Sequence, residues 1–597
     1  MRTTKIYALL TMMLMIAYAS LLAETDAEKN SRMQWWRDAK FGLFIHWGPS
    51  SIIGKEISWC RVGHPADHKG EQIVPAEEYD NLYKQFNPVK FNADEWMDLA
   101  KEAGMKYVVI ICKHHDGFAM FHTKLSDYNI ANTPFKRDVI RELADAAHKR
   151  GLKFGVYYST RDWYHPDYLK DGNVKYNDFY EGQVRELLSN YGRVDVMWFD
   201  HVSGNWKDYT FERLFGMIKQ LQPGILINNR GARFVFKTED KPTPELAKMV
   251  AGDYDTPEQT IGKFQVESDW ESCMTMTKCV DGGGWSYRPD GKTINLSECI
   301  RTLVSCVTGG GNLLLNVGPM PTGEIMPDQV QNLKEIGKWL AKYGQAVYGT
   351  RGGPYVSGRW GGTCYSGNKV YLHVFEWRGD NLSLGPMKEK IVGAKVLTGG
   401  EAKVTQTDKG VDVILPKSQQ DTVDTIIELT LDRPVSEVQK VAAERPLSDE
   451  PACGTIISEG AMVSGGTERA DKNGTGAALF KAERPANNGM VIRTKQDVAP
   501  SVVIDLGKVK QATGVRIESQ PISHAEVTIS VSEDGTSWTT VATADSLVPV
   551  WEKLVTQLQA GAEVPGRKTR YLKLEAKSPR QRPIGLALRH VEIYGKE

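Results

Sequence analysis

The stretch RVDVMWFD at residues 193–200 decides how this chain is read. Val194, Val196 and Trp198 alternate with Asp195, Met197 and Phe199, giving a strand apolar on nearly both sides. That is the pattern of a parallel strand covered on two faces. It ends in a carboxylate, Asp200. A helix N-cap is the ordinary duty for such an aspartate, but the next plausible helix start lies near Asp208 or Thr210, about two turns too late. In a parallel barrel the C-terminal strand tips carry the reacting groups, because the loops converge there while the opposite end only stabilises. Asp200 therefore reads as a group placed for chemistry.

On either side of this strand, short apolar runs alternate with helical stretches, as in an α/β protein. Candidate strands cover 41–47, 107–112, 153–158, 194–199, 224–228, 249–253, 268–274 and 312–317. Helices fit between them. Residues 92–103 place Trp96, Leu99 and Ala100 at helical spacing, and 137–149 repeat the pattern before Gly151 stops it. The expected architecture is a (β/α)8-like TIM barrel over residues 24–350, with 249–253 its weakest strand and 242–257 rich in loop signals. After a helix at 328–343, alternating apolar and polar residues with frequent glycines, as in 369–377 and 410–415, predict a small antiparallel β-sandwich over 351–440. A linker-like stretch at 442–454 leads into residues 451–597, where SVVIDLG, ATGVRIES, AEVTISVSEDGTSW, TRYLKLEA and LRHVEIYG read as short strands of a further β-sandwich.

A chain of 597 residues is too long for one core and should divide into domains. Its 74 basic and 74 acidic residues balance, so neither nucleic acid nor an anionic membrane surface is an expected partner. Residues 1–23 carry two positive charges and then an almost wholly apolar run ending in small residues. This reads as a signal peptide, not a membrane span, and predicts an exported, periplasmic or extracellular protein. Eight sparse cysteines without a C-x-x-C read mostly as buried thiols.

Unusual polar residues gather at successive strand tips, which meet in space although far apart in sequence. They are His46 and Trp47; His114, His115 and Asp116; Tyr157, Tyr158, Arg161 and Asp162; Trp198 and Asp200; Asn228, Asn229 and Arg230; and Asp253, Asp255 and Glu258. Aromatics, histidines, an arginine and carboxylates make a pocket that can stack on a sugar face and bond its hydroxyls. No Gly-rich phosphate loop or nucleotide fingerprint sits at any tip. The same residue types could hold a metal, but adjacent His114 and His115 point to opposite faces of a strand and no H-x-H or H-E-x-x-H is present, so no metal is expected. Glycoside hydrolysis needs an ionised nucleophile and a protonated acid facing one bond. Asp200 is the natural nucleophile, bordered by Trp198, with Arg230 or a histidine favouring its ionisation. Two glutamates compete as acid: Glu258 on the loop beyond a strand tip, which is preferred, and Glu271 in mid-strand, where a structural pairing is the alternative.

These residues resemble glycoside hydrolase family 29, the α-L-fucosidases. FGLFIHWG, KHHDGF, FGVYYS, the ending of MWFD, NNRG, WESCMTM with a later GWSYR, and GGNLLLNVGP stand in the family's order over about residues 32–350. The resemblance implies a fucose pocket lined by His46, Trp59, His114, His115, Tyr158, Trp198, Arg230 and Trp285, and a retaining mechanism with Asp200 as nucleophile. In two respects the match is incomplete: Ser58 stands where the family often has a glutamate before the tryptophan matched by Trp59, with Glu56 two residues earlier, and the acid/base position varies within the family. The segment 451–597 resembles the discoidin, or F5/8 type C, fold shared with family 32 carbohydrate-binding modules. The implied protein is an exported exo-α-L-fucosidase acting on terminal fucose of oligosaccharides or glycoconjugates, without metal or organic cofactor. The rival readings are a non-catalytic glycan-binding protein on an inactive barrel, and a glycosidase of the same fold for a related sugar. Oligomeric state is not written in the sequence.

Overall fold

In the computed structural model the described residues are 24–63, 73–232, 242–261, 266, 268–279, 283–357, 360–377, 379–435, 455–465, 468–469, 475–480, 491–519, 526–544, 556–557, 567–577 and 584–596. The expected leader, residues 1–23, lies outside them. No described helix is long and apolar enough to cross a membrane. The chain divides into two compact units, Met1–Ala443 and Glu444–Glu597.

The larger unit begins with alternating helices and strands: α1 (Asp26–Ala39), β1 (Phe41–Ile45), α2 (Ala76–Asp80), α3 (Ala93–Glu102), β2 (Tyr107–Lys113), α4 (Val139–Lys149), β3 (Lys153–Ser159), α5 (Val174–Asn190), β4 (Val196–Asp200), α6 (Phe211–Leu221), β5 (Leu226–Ile227), α7 (Pro244–Val250) and β6 (Glu271–Thr275). A small ladder, β7 (Thr277–Lys278) with β8 (Lys292–Thr293), precedes α8 (Leu296–Thr308), β9 (Asn312–Val317) and α9 (Pro327–Tyr343). Asn92, Asp138 and Asn295 start α3, α4 and α8 by accepting from first-turn backbone N–H groups.

Seven strands form one curled parallel half-barrel sheet in the order β5-β4-β3-β2-β1-β9-β6. Every residue of β1, β2, β4 and β9 is buried, which explains their unbroken apolarity. Alternation sorts their side chains. Phe44, Tyr107, Val109, Tyr157, Val196, Trp198 and Leu314 share the inner cluster. Leu43, Val108, Phe154, Met197, Phe199 and Leu313 turn outward with the apolar faces of the helices.

The expected complete eight-stranded barrel is not formed. Residues 249–253 are not a strand: α7 ends at Val250, and Gly252 takes φ +80° with its backbone against Asn228. The segment beyond runs through isolated parallel bridges, Asn228 to Tyr254, Asp255 to Trp270 and Glu258 to Cys273, and so links the two edges of the sheet irregularly. Pro257 has no N–H to give a regular ladder, which keeps this stretch from becoming the eighth strand. The strand expected over 268–274 starts only at Glu271, and that over 224–228 shrinks to Leu226–Ile227.

Beyond α9, β10 (Arg351–Gly352), β11 (Gly361–Ser366), β12 (Lys369–Val374), β14 (Ile391–Val396) and β17 (Thr425–Leu431) form one antiparallel sheet, and β13 (Asn381–Leu384), β15 (Lys403–Thr407) and β16 (Gly410–Ile414) another. Val370, Leu372, Leu384, Val411, Val413, Ile427 and Leu429 fill one apolar cluster with members from both sheets. The second unit contains a ten-stranded sheet built around Ser501–Ser519, which pairs antiparallel with Arg567–Lys577 and Ala587–Lys596. It has its own core, including Val502, Ile504, Val515, Leu572, Leu574 and Ile593. All seven described cysteines are buried free thiols; Cys453 lies outside the described residues.

Candidate active site

Asp200 ends β4 and is placed by register. Tyr157 pairs with Trp198 and Ser159 with Asp200 across β3 and β4, so Tyr157, Trp198 and Asp200 share the inner face. The Tyr157 and Trp198 rings stack with centroids 5.4 Å apart. The Tyr157 hydroxyl donates to Asp200 Oδ2 at 2.8 Å. Arg230, buried in the short turn Asn229–Gly231 after β5, donates from Nη1 to Asp200 Oδ1 at 3.1 Å and to Glu258 Oε2 at 2.8 Å. Its Nε and Nη2 are held by Thr256 Oγ1 at 2.8 Å and Thr256 O at 3.1 Å, and its guanidinium lies 4.7 Å from the Trp198 ring.

Burial alone would raise the Asp200 pKa, but the His201 and Arg230 charges and the Tyr157 hydrogen bond outweigh it and hold the carboxyl below the usual carboxylate range. Burial lowers the pKa of His201 itself, so the permanent charge of Arg230 is the dependable part of that balance at neutral pH. A buried, ionised carboxylate aimed into a cleft is poised to attack an electrophilic carbon.

Three neutral imidazoles face this carboxylate. Burial pushes the His46 pKa down to about 3 and those of His114 and His115 well below the usual value. His46 Nδ1 donates to Asn316 Oδ1 at 2.6 Å, a role fixed because Asn316 Nδ2 donates to Trp285 O at 2.7 Å. His114 and His115 engage Ser58 Oγ and Ser159 Oγ through Nδ1, each at 2.6 Å. Trp285 lies 4.8 Å from the His46 ring and Trp59 meets His115 edge-on at 5.1 Å. The cavity is therefore walled by aromatic faces and uncharged ring nitrogens, suited to hydroxyls and an apolar sugar face.

Of the residues singled out in the sequence, Asp200, Glu258, His46, Trp59, His114, His115, Trp198, Arg230 and Trp285 line this one cavity. Tyr158 does not. Its parity sends it outward, where its hydroxyl donates to Gln183 Oε1 at 2.7 Å, and Tyr157 occupies the wall instead. Glu271 is fully buried beneath the cavity, accepting from the Tyr107 hydroxyl and from Trp198 Nε1 at 3.2 Å; burial pushes its pKa up to about 7. Glu56 turns away to bind the backbone that carries Trp285, accepting from Ser286 N at 3.0 Å and Gly284 N at 2.5 Å. Ser58 supports His114 from behind. Several other tip residues are structural: Asp162 pairs with Lys113, Asp253 with Arg32, and Asn228 bonds the backbone of Phe199.

His201, Phe44 and Cys273 also line the cavity and were not singled out. Strand parity from Asp200 would have given Phe44 and Tyr157. His201 faces inward only because its φ is +50°, which no pattern reveals. His115, Asp200 and His201 offer three ligand atoms within 4.8 Å of one another. With the Arg230 guanidinium on the same carboxylate, a cation there would meet a fixed positive charge, so this trio fits a metal poorly.

The family model described as Alpha-L-fucosidase matches residues 14–345. Plasma alpha-L-fucosidase of Homo sapiens is 30% identical over 337 residues, covering 53% of this chain and 69% of that protein. Among solved structures, alpha-L-fucosidase isoenzyme 1 from Paenibacillus thiaminolyticus is 34% identical, covers 68% of this chain and 99% of its own, and has a TM-score of 0.59. A GH29 alpha-L-fucosidase from Bacteroides thetaiotaomicron, trapped as a covalent intermediate with 2-fluoro-fucosyl fluoride, is 30% identical, covers 67% of this chain and 96% of its own, and has a TM-score of 0.58.

Proposed function

The chain belongs to the α-L-fucosidase family of glycoside hydrolases, and from that premise we propose that it removes terminal α-L-fucose from glycans with retention, Asp200 attacking and Glu258 transferring the proton. The observation that carries the mechanism is the shared contact with Arg230: one nitrogen touches both carboxylates, so their nearest oxygens are at most about 6 Å apart. That shared contact holds Glu258 in the same cleft as Asp200, within a side-chain rotation of a leaving oxygen above it. The covalent intermediate trapped in the Bacteroides enzyme supports the same reading.

Asp200 attacks the anomeric carbon as Glu258 protonates the departing oxygen. Water then bonds the anomeric carbon as Glu258 takes its proton, which breaks the glycosyl–Asp200 ester, frees the Asp200 carboxylate and leaves Glu258 protonated as at the start. Glu258 is 44% exposed in its side chain and paired with Arg230, so to act as acid it must leave the guanidinium and turn to the leaving oxygen as substrate enters. The neutral His46, His114 and His115 would bond the sugar hydroxyls, and Trp59 and Trp285 would cover its apolar face.

The same reading includes export through residues 1–23 to the periplasm or cell exterior, and a discoidin-like β-sandwich in the second unit. Proton NMR of the first sugar released from an aryl α-L-fucoside tests the mechanism. The α-anomer is expected first; the β-anomer would rule out a retaining reaction.

A further inference from the structure

Ser58 is fully buried at φ +62°, a backbone conformation that residues with a side chain rarely adopt, and a closed ring of hydrogen bonds keeps it there. Ser58 N donates to the Tyr79 hydroxyl oxygen at 2.8 Å, the Tyr79 hydroxyl donates to Asp116 Oδ2 at 2.6 Å, and Asp116 N donates to Ser58 Oγ at 2.9 Å. The last of these contacts uses Oγ as an acceptor and leaves the hydroxyl hydrogen to be placed. Among the described residues the one acceptor it reaches is His114 Nδ1, 2.6 Å away. The Ser58 hydroxyl therefore donates and Nδ1 accepts. Burial keeps the His114 ring neutral, so its single proton sits on Nε2.

His46, also kept neutral by burial, is fixed the other way: its Nδ1 carries the proton, because Asn316 Oδ1 can only accept, and its Nε2 is left as an acceptor. Both rings line the catalytic cavity with centroids 5.9 Å apart, and neither Nε2 has a partner among the described residues. The cavity thus presents one donor and one acceptor, and hydroxyls between them are held in one direction, accepting from His114 and donating to His46. We propose that Ser58, which is not itself a lining residue, is a positioning residue for the sugar: acting through His114, it sets the direction in which the site binds neighbouring hydroxyls. This rests on the fucosidase reading for the identity of the sugar. In Ser58→Ala nothing holds the proton on His114 Nε2, and the donor that faces the hydroxyl is no longer selected.

Two measurements on the full chain test this. Neutron diffraction from deuterated crystals should show deuterium on Nε2 of His114 and on Nδ1 of His46; deuterium on Nδ1 of His114 in a protein that hydrolyses an aryl fucoside would overturn the proposal and leave the fucosidase reading standing. Calorimetric titration with L-fucose and its monodeoxy analogues at C2, C3 and C4 should find fucose bound about tenfold more weakly by Ser58→Ala than by the wild type. The analogue lacking the hydroxyl that His114 holds should bind both proteins alike, because the two changes remove the same interaction. Equal weakening of all four sugars would show a role in packing alone, and unchanged fucose binding would show none; either result overturns the proposal. If Ser58→Ala does not fold, the neutron map decides by itself. A wild type that neither binds fucose nor hydrolyses the aryl fucoside would defeat the fucosidase reading, and the sugar would fall with it as the ligand of this pair.

Discussion

Asp200 and Glu258 meet on one nitrogen of Arg230, whereas Glu271 is sealed below Trp198. That difference separates the two glutamates by experiment. Asp200→Ala should lower turnover by several powers of ten, with added azide yielding a fucosyl azide of inverted configuration. Glu258→Ala should hydrolyse an aryl fucoside with a good leaving group far better than a natural disaccharide, because only the poor leaving group needs a proton. Azide should rescue its second step with retained configuration. Glu271→Ala removes the acceptor for Tyr107 and Trp198 and should lower the melting temperature while reducing activity on both substrates alike. If Glu271→Ala discriminates by leaving group and Glu258→Ala does not, the assignment reverses. At this scale the sequence carried most of the site, because Asp200, Trp198 and the histidines sit at tips of clearly apolar strands. Choosing Tyr158 over Tyr157 failed where the register with Trp198 decides, and His201 depends on a left-handed backbone that no residue pattern announces.

Elements were legible where burial enforces a pattern. β1, β2, β4 and β9 announce themselves by unbroken apolarity, and the capped helices by their first-turn acceptors. The stretch after α7 was not, since its backbone bridges two sheet edges without a ladder, and Gly252 and Pro257 interrupt the strand that its apolar residues suggest. That irregular stretch is also what brings Glu258 over the sheet. Gly318, at the end of β9, has a comparable role: a Cβ there would meet the Ser286 backbone at 2.4 Å, so the loop bearing Trp285 rests directly on the strand end. Elsewhere β12 is tied to the turn after α9 by a buried imidazole. His373 Nδ1 faces Asp424 Oδ2 at 2.7 Å and Nε2 faces Ala346 O at 3.0 Å, with Cys364 Sγ 3.7 Å away. Both ring nitrogens meet acceptors, which calls for the imidazolium. Burial would lower the pKa, but Asp424 outweighs it and holds His373 well above its usual value. The folded pKa is thus raised, so the stabilisation is complete below about pH 6.5, where the unfolded imidazole is also charged, and is lost as pH climbs towards the folded pKa. His373→Gln should lower the melting temperature most at pH 6 or below and flatten its alkaline decline, measured by calorimetry across pH. Equal slopes for the two proteins would dismiss the charged clamp.

Across the whole molecule, the family match stops at residue 345, yet the structure places the first compact boundary at Ala443. The difference follows from what α8 is packed against. Cys364, Tyr371 and Ile426 belong to the same apolar cluster as Ile300, Leu303 and Val304 of α8, and Arg301 donates to the carbonyls of Thr422 and Val423. A chain cut at residue 345 would strip that face, leaving apolar surface that favours aggregation. A chain ending at Ala443 keeps it. Every described residue lining the catalytic cleft falls between Phe44 and Trp285, and the second unit has a separate core. The shorter chain ending at Ala443 should therefore stay soluble, keep a cooperative melt and hydrolyse an aryl fucoside with kcat/KM within about twofold of the full protein. The chain cut at 345 should be insoluble or molten. A protein ending at Ala443 that folds well but is inactive on the aryl fucoside would mean that the second unit completes the site, and the division of labour argued from the two cores would fall with it.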